Sequence, residues 1–113
     1  MELNDMVARC WQRTKTWHQT DKPWVDERWI TAIAGELGEM ANNVKKLFRA
    51  SDGSVGILKG ESIESLQQEI DKEWADVMIY MMSYAAYRGI NAEATIAQVF
   101  NAKSEQLGFD ERM

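Results

Sequence analysis

Residues that interrupt helices are scarce in this chain, and this scarcity most limits the folds open to it. The one proline is Pro23, and glycines cluster between Gly53 and Gly60. Proline and glycine are the residues least favourable inside a helix, so the long stretches outside these places predict helix. We expect an all-α fold, a four-helix bundle-like domain over residues 1–113.

Apolar residues recur at intervals of three and four along four segments, which is the spacing of one helix face. The predicted helices run from about Leu3 to His18, from Trp24 or Asp26 to Arg49, from Ser62 or Ser65 to Gly89, and from Asn91 to Gly108. The expected inward face of the first helix carries Met6, Cys10 and Trp17, with Val7 and Thr14 as further candidates. Those of the other three helices carry, in order, Ile30, Ile33, Ala34, Leu37, Met40, Ala41, Val44, Leu47 and Phe48; Ile63, Leu66, Ile70, Trp74, Val77, Met78 and Met81; and Ile96, Val99, Phe100 and Leu107.

The balance of charge excludes several classes of partner. Thirteen Lys and Arg stand against eighteen Asp and Glu, a net charge of -5. This balance disfavours a polyanion-binding surface, so we expect no nucleic-acid partner.

No apolar run approaches the length of a membrane span, and Glu2 and Asp5 stand where an export signal is basic, so we expect no membrane partner. The single Cys10 cannot form an internal disulfide, which favours a cytoplasmic location.

The chain has much bulky apolar material for its length, with five Trp and seven Met among 113 residues. Small domains often cover such material by self-association. We therefore expect a homo-oligomer, either a homodimer or a homotetramer.

Two acid pairs with the same spacing are the candidates for chemistry. Glu36 and Glu39 lie on the second predicted helix, and Glu73 and Asp76 lie on the third. Three residues along a helix rotate by about 300°, so the members of each pair lie within about 60° of one another and one turn apart. Each pair borders an apolar stripe, and packing these stripes together would bring the four carboxylates into one cluster.

Such a cluster needs a cation, because two like charges about 4 Å apart repel by roughly 4 kcal/mol at an effective dielectric constant near 20. Hard carboxylate oxygens, with room left for water and phosphate, suit Mg²⁺, or Mn²⁺ in its place, and not zinc. The alternative is that the acids only solvate exposed helix faces. The sequence has no Gly-Lys-Ser/Thr phosphate loop, no zinc-spaced cysteine pair and no Glu-x-x-His motif of a di-iron bundle.

Three segments carry a family resemblance. Segment 35–46 (GELGEMANNVKK) and segment 73–80 (EWADVMIY) each contain one acid pair, and segment 100–104 (FNAKS) precedes Gly108 and Phe109. In this order they resemble the first metal helix, the second metal helix and the C-terminal segment of the all-α nucleoside triphosphate pyrophosphohydrolases. This is the MazG-like group, which includes the dimeric dUTPases and the dCTP pyrophosphatases. The resemblance covers about Ile30 to Phe109.

The resemblance implies Mg²⁺-dependent hydrolysis of a nucleoside triphosphate between the α and β phosphates, giving a monophosphate and pyrophosphate in nucleotide-pool sanitation. It implies that Glu36, Glu39, Glu73 and Asp76 hold the metal. It also implies that Glu36 or Glu39 is the catalytic base for the attacking water, a choice that the sequence leaves open. The long Gly-rich connection from Ser51 to Glu61 is then expected to close over the triphosphate.

Substrate contacts follow from the same resemblance. Asn101 and Lys103 match positions that bind the nucleotide in the family, and the alternative for both is a solvated polar face. Tyr80 follows Asp76 by one turn and is expected either to contact the nucleotide or to pack in the core. Trp24 and Trp29 have the same two interpretations, with core packing favoured.

A different class of function stays open from the sequence. The chain would then be a non-catalytic helical interaction or oligomerisation module, whose Met- and Trp-rich face binds a partner or itself. Its acids would only make helix faces soluble. Nucleotide turnover and a dependence of stability on Mg²⁺ distinguish the enzyme from this module.

Overall fold

The computed structural model describes residues 1–17, 23–52 and 61–113. This part of the chain contains no strand. It forms four helices: α1 (Leu3–Trp17), α2 (Asp26–Asp52), α3 (Ile63–Arg88) and α4 (Ala92–Leu107). The all-α prediction is confirmed. Helix α2 continues past its predicted end at Arg49, and most of the predicted closing segment, residues 53–60, lies outside the described residues, as does His18.

Local caps fix the starts of α3 and α4. The Ser65 N–H donates to Ser62 Oγ at 3.0 Å, and the Ser62 N–H donates to Ser65 Oγ at 2.8 Å, so Ser62 is the cap. The Ala94 N–H donates to Asn91 Oδ1 at 3.1 Å, which confirms Asn91 as the cap of α4. These oxygens satisfy N–H groups that the first turn leaves without an intrahelical partner.

Glycines in the left-handed region end the same two helices. Gly89 has φ 70° and Gly108 has φ 75°, a conformation that a side chain disfavours. The Ile90 N–H then donates to Ala85 O at 2.9 Å, and the Phe109 N–H donates to Ser104 O at 2.8 Å. At both ends the residue after the glycine donates to the carbonyl five residues before it, which is the 6→1 hydrogen bond of a Schellman C-cap. The sequence predicts this cap at Gly89.

The chain divides into two compact units. One combines Met1–Pro23 with Met82–Met113, and the other is Trp24–Met81. No helix of the described residues has both the length and the apolar character to span a bilayer.

In the first unit α1 packs against α4. Asn4, in the first turn of α1, donates from Nδ2 to Asn91 Oδ1 at 3.1 Å and accepts from the Glu93 N–H at 3.2 Å. Further along α1, Thr14 Oγ1 donates to Ser83 Oγ at 3.3 Å. The start of α1 therefore helps to cap the start of α4.

The buried faces of α1 and α4 differ from the predicted ones. On α1, Val7 is buried and Cys10 and Thr14 are half-buried, in agreement with the prediction. Met6 is exposed and Trp17 is 75% exposed, so these two were wrongly placed inside. On α4, Ala92 and Ser104 are buried. The predicted inward residues of α4 are exposed: Ile96, Val99, Phe100 and Leu107. The buried side chains of α4 are therefore small, and its large apolar side chains lie at the surface.

In the second unit α2 and α3 run antiparallel. Trp29 contacts Tyr80, Glu36 hydrogen-bonds Glu73, and Lys46 Nζ lies 3.8 Å from Glu61 Oε1. Residues later in α2 therefore contact residues earlier in the chain on the α3 side, which is an antiparallel arrangement. The inner α2 stripe consists of the buried and half-buried residues spaced by three and four along this helix: Trp29, Ile33, Glu36, Met40, Asn43, Leu47 and Ala50.

Several predicted core residues of these two helices are exposed. On α2 they are Ile30, Ala34, Leu37, Ala41, Val44 and Phe48, and on α3 they are Ile63, Trp74 and Met81. The apolar surface of each helix is wider than the strip that faces the other helix. The prediction therefore identified the helices correctly and placed too many of their side chains inside the chain's own core.

Candidate metal centre

Three carboxylates converge in the unit Trp24–Met81. Glu36 comes from α2, and Glu73 and Asp76 come from α3. One carboxylate oxygen of each lies within 4.8 Å of the others. We call these three residues the acid trio. The antiparallel packing of α2 on α3 brings them together, because each lies on the side of its helix that turns towards the other.

Glu73 is the most enclosed member of the acid trio. It is 6% exposed, and its Oε2 is buried without a hydrogen-bond partner among the described residues. Leaving a buried polar atom unpaired costs about 1–3 kcal/mol, and more when the group is charged. This oxygen is therefore a buried acceptor without a partner among the described residues, in a cluster of like charges.

Glu36 has the perturbed acidity expected of such a cluster. Burial raises the pKa of Glu36 above its ordinary value of 4.5, and the negative charge of Glu39 raises it further. A side-chain hydrogen bond with Glu73 and the charges of Asp76 and Glu73 act in the same direction. Without a cation, the surroundings of Glu36 therefore favour its protonated form.

Asp76 is half-buried and has a cationic neighbour that the sequence reasoning missed. Lys72 Nζ lies 4.0 Å from Asp76 Oδ2, one turn earlier on α3. The i, i+4 spacing of the two residues was the signal for this pair. The pair is loose and Lys72 is largely exposed, so it contributes at most about 1 kcal/mol and leaves the acid trio net negative.

Glu39, the fourth predicted acid, is exposed and is not a member of the acid trio. Its position three residues after Glu36 turns it by about 60° around α2, away from the strip that faces α3. Its charge still raises the pKa of Glu36. Glu39 therefore borders the cluster without joining it.

An aromatic cluster lies one turn beyond the acid trio on α3. The Tyr80 ring is nearly parallel to that of Trp24, at 6.3 Å between centroids, and meets Trp29 edge-on at 6.5 Å. Trp24 and Trp29 also meet edge-on, at 4.9 Å. Trp29 is buried, whereas Tyr80 and Trp24 are half-buried. The rings pack on one another as core residues do, and each half-buried ring keeps part of its surface in solvent.

A groove of about 630 Å³ begins beside this cluster at the start of α2. Trp24, Arg28, Thr31 and Ala32 are among its lining residues. The Arg28 guanidinium carbon lies 5.9 Å from the centre of the Trp24 ring, a cation–π contact that the sequence reasoning did not anticipate. Ala32 precedes Glu36 by one helical turn, so the groove extends towards the acid trio along α2.

Asn101 and Lys103 belong to the other unit. The Asn101 amide donates to Met113 O at 3.2 Å and accepts from the Met113 N–H at 2.8 Å. Lys103 is exposed and lines a cavity of about 470 Å³ with Phe100 and Phe109 among its walls. Their assignment to substrate binding stays a prediction.

Comparisons with known proteins add no assignment to this geometry. No family model, no curated protein and no solved structure matches the chain. The acid trio and the family resemblance of segments 35–46 and 73–80 are therefore the features that bear on function.

Proposed function

We propose that this protein is a Mg²⁺-dependent nucleoside triphosphate pyrophosphohydrolase. It hydrolyses a ribo- or deoxyribonucleoside triphosphate between the α and β phosphates, releases a monophosphate and pyrophosphate, and serves nucleotide-pool sanitation in the cytoplasm. The observation that carries the proposal is the acid trio, in which the buried Oε2 of Glu73 has no hydrogen-bond partner among the described residues.

The acid trio fits a hard divalent cation. Its donors are all carboxylate oxygens, the ligands that Mg²⁺ and Mn²⁺ prefer, and it contains no sulfur or imidazole that would select zinc. Three protein ligands leave coordination positions for water and phosphate oxygens. When bound, the cation would neutralise charge on the phosphates and lower the pKa of a water molecule.

The remaining steps belong to side chains of this chain. Glu36, Glu73 and Asp76 hold the cation, and the enclosure of Glu73 keeps the ligand set rigid. Glu39 lies beside them with an exposed carboxylate. We assign to Glu39 the role of accepting the proton of the attacking water, because that role needs a carboxylate near the acid trio that is not itself a ligand. The water oxygen forms the new bond to phosphorus, and pyrophosphate departs with the bridging electron pair.

Two further parts of the proposal concern substrate and assembly. Trp24 lines the groove, and the half-buried Tyr80 ring stacks on it, so the two rings offer apolar surface to a nucleobase. Asn101 and Lys103 contact sugar or phosphate, as the family resemblance implies. The protein acts as a homo-oligomer built from four-helix bundle-like subunits, and the apolar side chains exposed on all four helices support this.

Pyrophosphate release tests the function. A panel of ribo- and deoxyribonucleoside triphosphates is incubated with the protein and Mg²⁺, and the products are separated by ion-exchange chromatography. A monophosphate with pyrophosphate is expected for at least one substrate, with no turnover in EDTA. A diphosphate as first product, or turnover that survives in the Asp76→Asn variant, would contradict the assignment.

A second candidate function is the non-catalytic interaction module. The observation that favours it is the exposed apolar surface of α2 and α4, which includes Phe48 at 67% and Val99 at 64% exposure. It predicts self-association without turnover of any triphosphate. The product panel therefore separates the two candidates.

A further inference from the structure

A single lysine lies beside the acid trio. Lys72 Nζ is 4.0 Å from Asp76 Oδ2, and the Lys72 side chain is 65% exposed. The parts of α2 and α3 within two helical turns of the acid trio are residues 29–43 and 66–83, all of them described. Lys72 is the one lysine or arginine among these residues. It is therefore the one cationic side chain that these two stretches of helix carry.

Lys72 lies on the solvent side of the acid trio. Glu73 is 6% exposed and hydrogen-bonds Glu36 on α2, whereas Asp76 is half-buried and Lys72 is exposed. Viewed along α3, Asp76 is turned by about 60° from Glu73, and Lys72 is turned by about 100° in the same direction. A phosphate chain that approaches the cluster from solvent therefore meets the side of α3 that carries Asp76 and Lys72.

Lys72 and a bound cation would share Asp76 as a partner. The buried Oε2 of Glu73, which has no hydrogen-bond partner among the described residues, supports a cation at this cluster. Oxygens that are neighbours on one Mg²⁺ lie about 3 Å apart, because Mg²⁺ holds six ligands at about 2.1 Å in an octahedron. A phosphate oxygen beside Asp76 on such a cation is then an acceptor within reach of the flexible Lys72 side chain.

The balance of charge calls for a cationic side chain at this place. Three carboxylates and a phosphate chain together carry more negative charge than one divalent cation neutralises. The pair of Lys72 with Asp76 is loose and exposed, so little free energy opposes its exchange for another partner. We propose that Lys72 binds a phosphate oxygen of the substrate. Lys72 pairs with Asp76 while no cation is bound, and it turns to the phosphate chain when a cation takes its place.

This inference rests on the proposed function and adds a phosphate-binding residue to the same site. It gives Lys72 two opposite effects. The Lys72 charge competes with a cation for Asp76, and it attracts the phosphate chain once the cation is in place. Removing this charge should therefore tighten cation binding and weaken phosphate binding. A lysine that only solvates the helix surface would produce neither effect.

Binding of Mg²⁺ alone is the first measurement, made by isothermal titration calorimetry on the intact chain in 0.1 M salt. Lys72→Met keeps a long unbranched side chain and removes the charge. The dissociation constant for Mg²⁺ is expected to fall by about threefold to tenfold, because a positive charge close to a ligand carboxylate repels the cation. Far-UV circular dichroism checks that the variant stays helical.

Inorganic pyrophosphate is the second probe, added at a Mg²⁺ concentration that saturates each protein. Its dissociation constant is expected to rise by about tenfold in Lys72→Met, because the charge that attracts the phosphate has gone. Lys72→Arg keeps a charged donor at the same place. It is expected to leave both dissociation constants within about threefold of those of the parent.

Lys46→Met is the matched control. Lys46 is also exposed and also forms a loose pair with a carboxylate of the same unit, at 3.8 Å from Glu61 Oε1. It follows Glu36 by ten residues, which is about 15 Å along α2 and exceeds the Debye length of about 10 Å at 0.1 M salt. Lys46→Met is therefore expected to leave both dissociation constants unchanged.

Four results would overturn the inference. They are a parent that binds no pyrophosphate, a Lys72→Met variant whose Mg²⁺ affinity does not rise, a variant that binds pyrophosphate as tightly as the parent, and equal changes in Lys46→Met. None of these measurements needs turnover. If Lys72→Met shows both expected changes and the parent hydrolyses no triphosphate, the hydrolase assignment fails and the role of Lys72 stands. If the parent releases pyrophosphate and Lys72→Met shows neither change, only the role of Lys72 fails.

Discussion

Glu36 on α2 and Glu73 on α3 share a side-chain hydrogen bond, although both side chains are acids. Two ionised carboxylates cannot form this bond, because neither has a proton to donate. The surroundings of Glu36 raise its pKa and so favour its protonated form in the metal-free protein. A bound divalent cation would take the place of this proton and remove the repulsion between the acids as well. This exchange of a proton for a cation makes the acid trio testable without any knowledge of the substrate.

Replacing the buried ligand should separate activity from stability. Glu73→Gln keeps the shape of the side chain and removes its charge, so turnover is expected to fall by about 10³-fold or more. The free energy of unfolding in EDTA is expected to equal or exceed that of the parent, because a repelling charge has gone. Mg²⁺ should raise the melting temperature of the parent and not of the variant. Glu69→Gln, at an exposed acid one turn earlier on α3, is the control and should behave as the parent does.

Glu39 should affect the chemistry more than metal binding. Because Glu39 lies outside the acid trio, Glu39→Gln is expected to keep the Mg²⁺ affinity within about threefold and to lower kcat by about 10²–10⁴-fold, the usual contribution of a general base. Isothermal titration calorimetry gives the affinity and steady-state kinetics gives kcat. A loss of Mg²⁺ affinity as large as that of Asp76→Asn would instead make Glu39 a ligand.

The stability of the metal-free protein should depend on pH through Glu36. Its pKa is raised in the folded state, mainly by burial and then by the charge of Glu39. The folded state therefore binds the proton more tightly than the unfolded chain does. The stabilisation is complete below the ordinary pKa of 4.5 and is lost as the pH rises through the folded-state value. Urea unfolding in EDTA should show Glu36→Gln more stable than the parent at pH 7.5, with the difference shrinking towards pH 4. A difference independent of pH would contradict this.

Lys103 should affect substrate affinity. If it contacts a phosphate, Lys103→Ala is expected to raise KM by about tenfold and leave kcat within about threefold, because a contact present in both the ground state and the transition state contributes to binding alone. Lys15→Ala, at an exposed lysine of α1, is the control. An unchanged KM in the Lys103→Ala variant would leave Lys103 on a solvated face.

The thiol of Cys10 should react slowly. Burial raises the pKa of Cys10, and the nearby charge of Arg13 opposes this shift in part. Because the thiolate is the reactive form, alkylation by iodoacetamide at pH 8 is expected to be slower than that of free cysteine and to speed up as the pH rises. Mass spectrometry follows the modified fraction. Alkylation at the rate of free cysteine would show an accessible, unperturbed thiol.

Features set by local chemistry were predictable from the sequence. Gly89 ends α3 and Asn91 begins α4. Both caps depend on hydrogen bonds to residues a few positions away, so the residue type alone indicates the cap. The acids of α2 and α3 were predictable as a cluster because the helical repeat is the same in every helix. Glu39 differs from Glu36 by only about 60° around α2, and this small rotation matters only once α3 is in place.

The sequence alone could not predict which apolar side chains are buried and which are exposed. An apolar stripe shows that a surface gains from being covered and does not show what covers it. Val99 and Phe48 belong to regular stripes and are exposed in the chain, whereas the small Ala92 and Ser104 are buried. The difference depends on how closely two helices approach, which is a property of both partners.

The contact of Asn4 with Asn91 and Glu93 has a consequence for how the molecule is made. A growing chain leaves the ribosome from its N-terminus, so α1 emerges long before the residues that Asn4 binds have been translated. The unit Trp24–Met81 is continuous in sequence and holds the whole acid trio, so its contacts are complete once Met81 has emerged. Synthesis therefore completes the unit Trp24–Met81 first, and α1 gains its partner only after α4 has been translated.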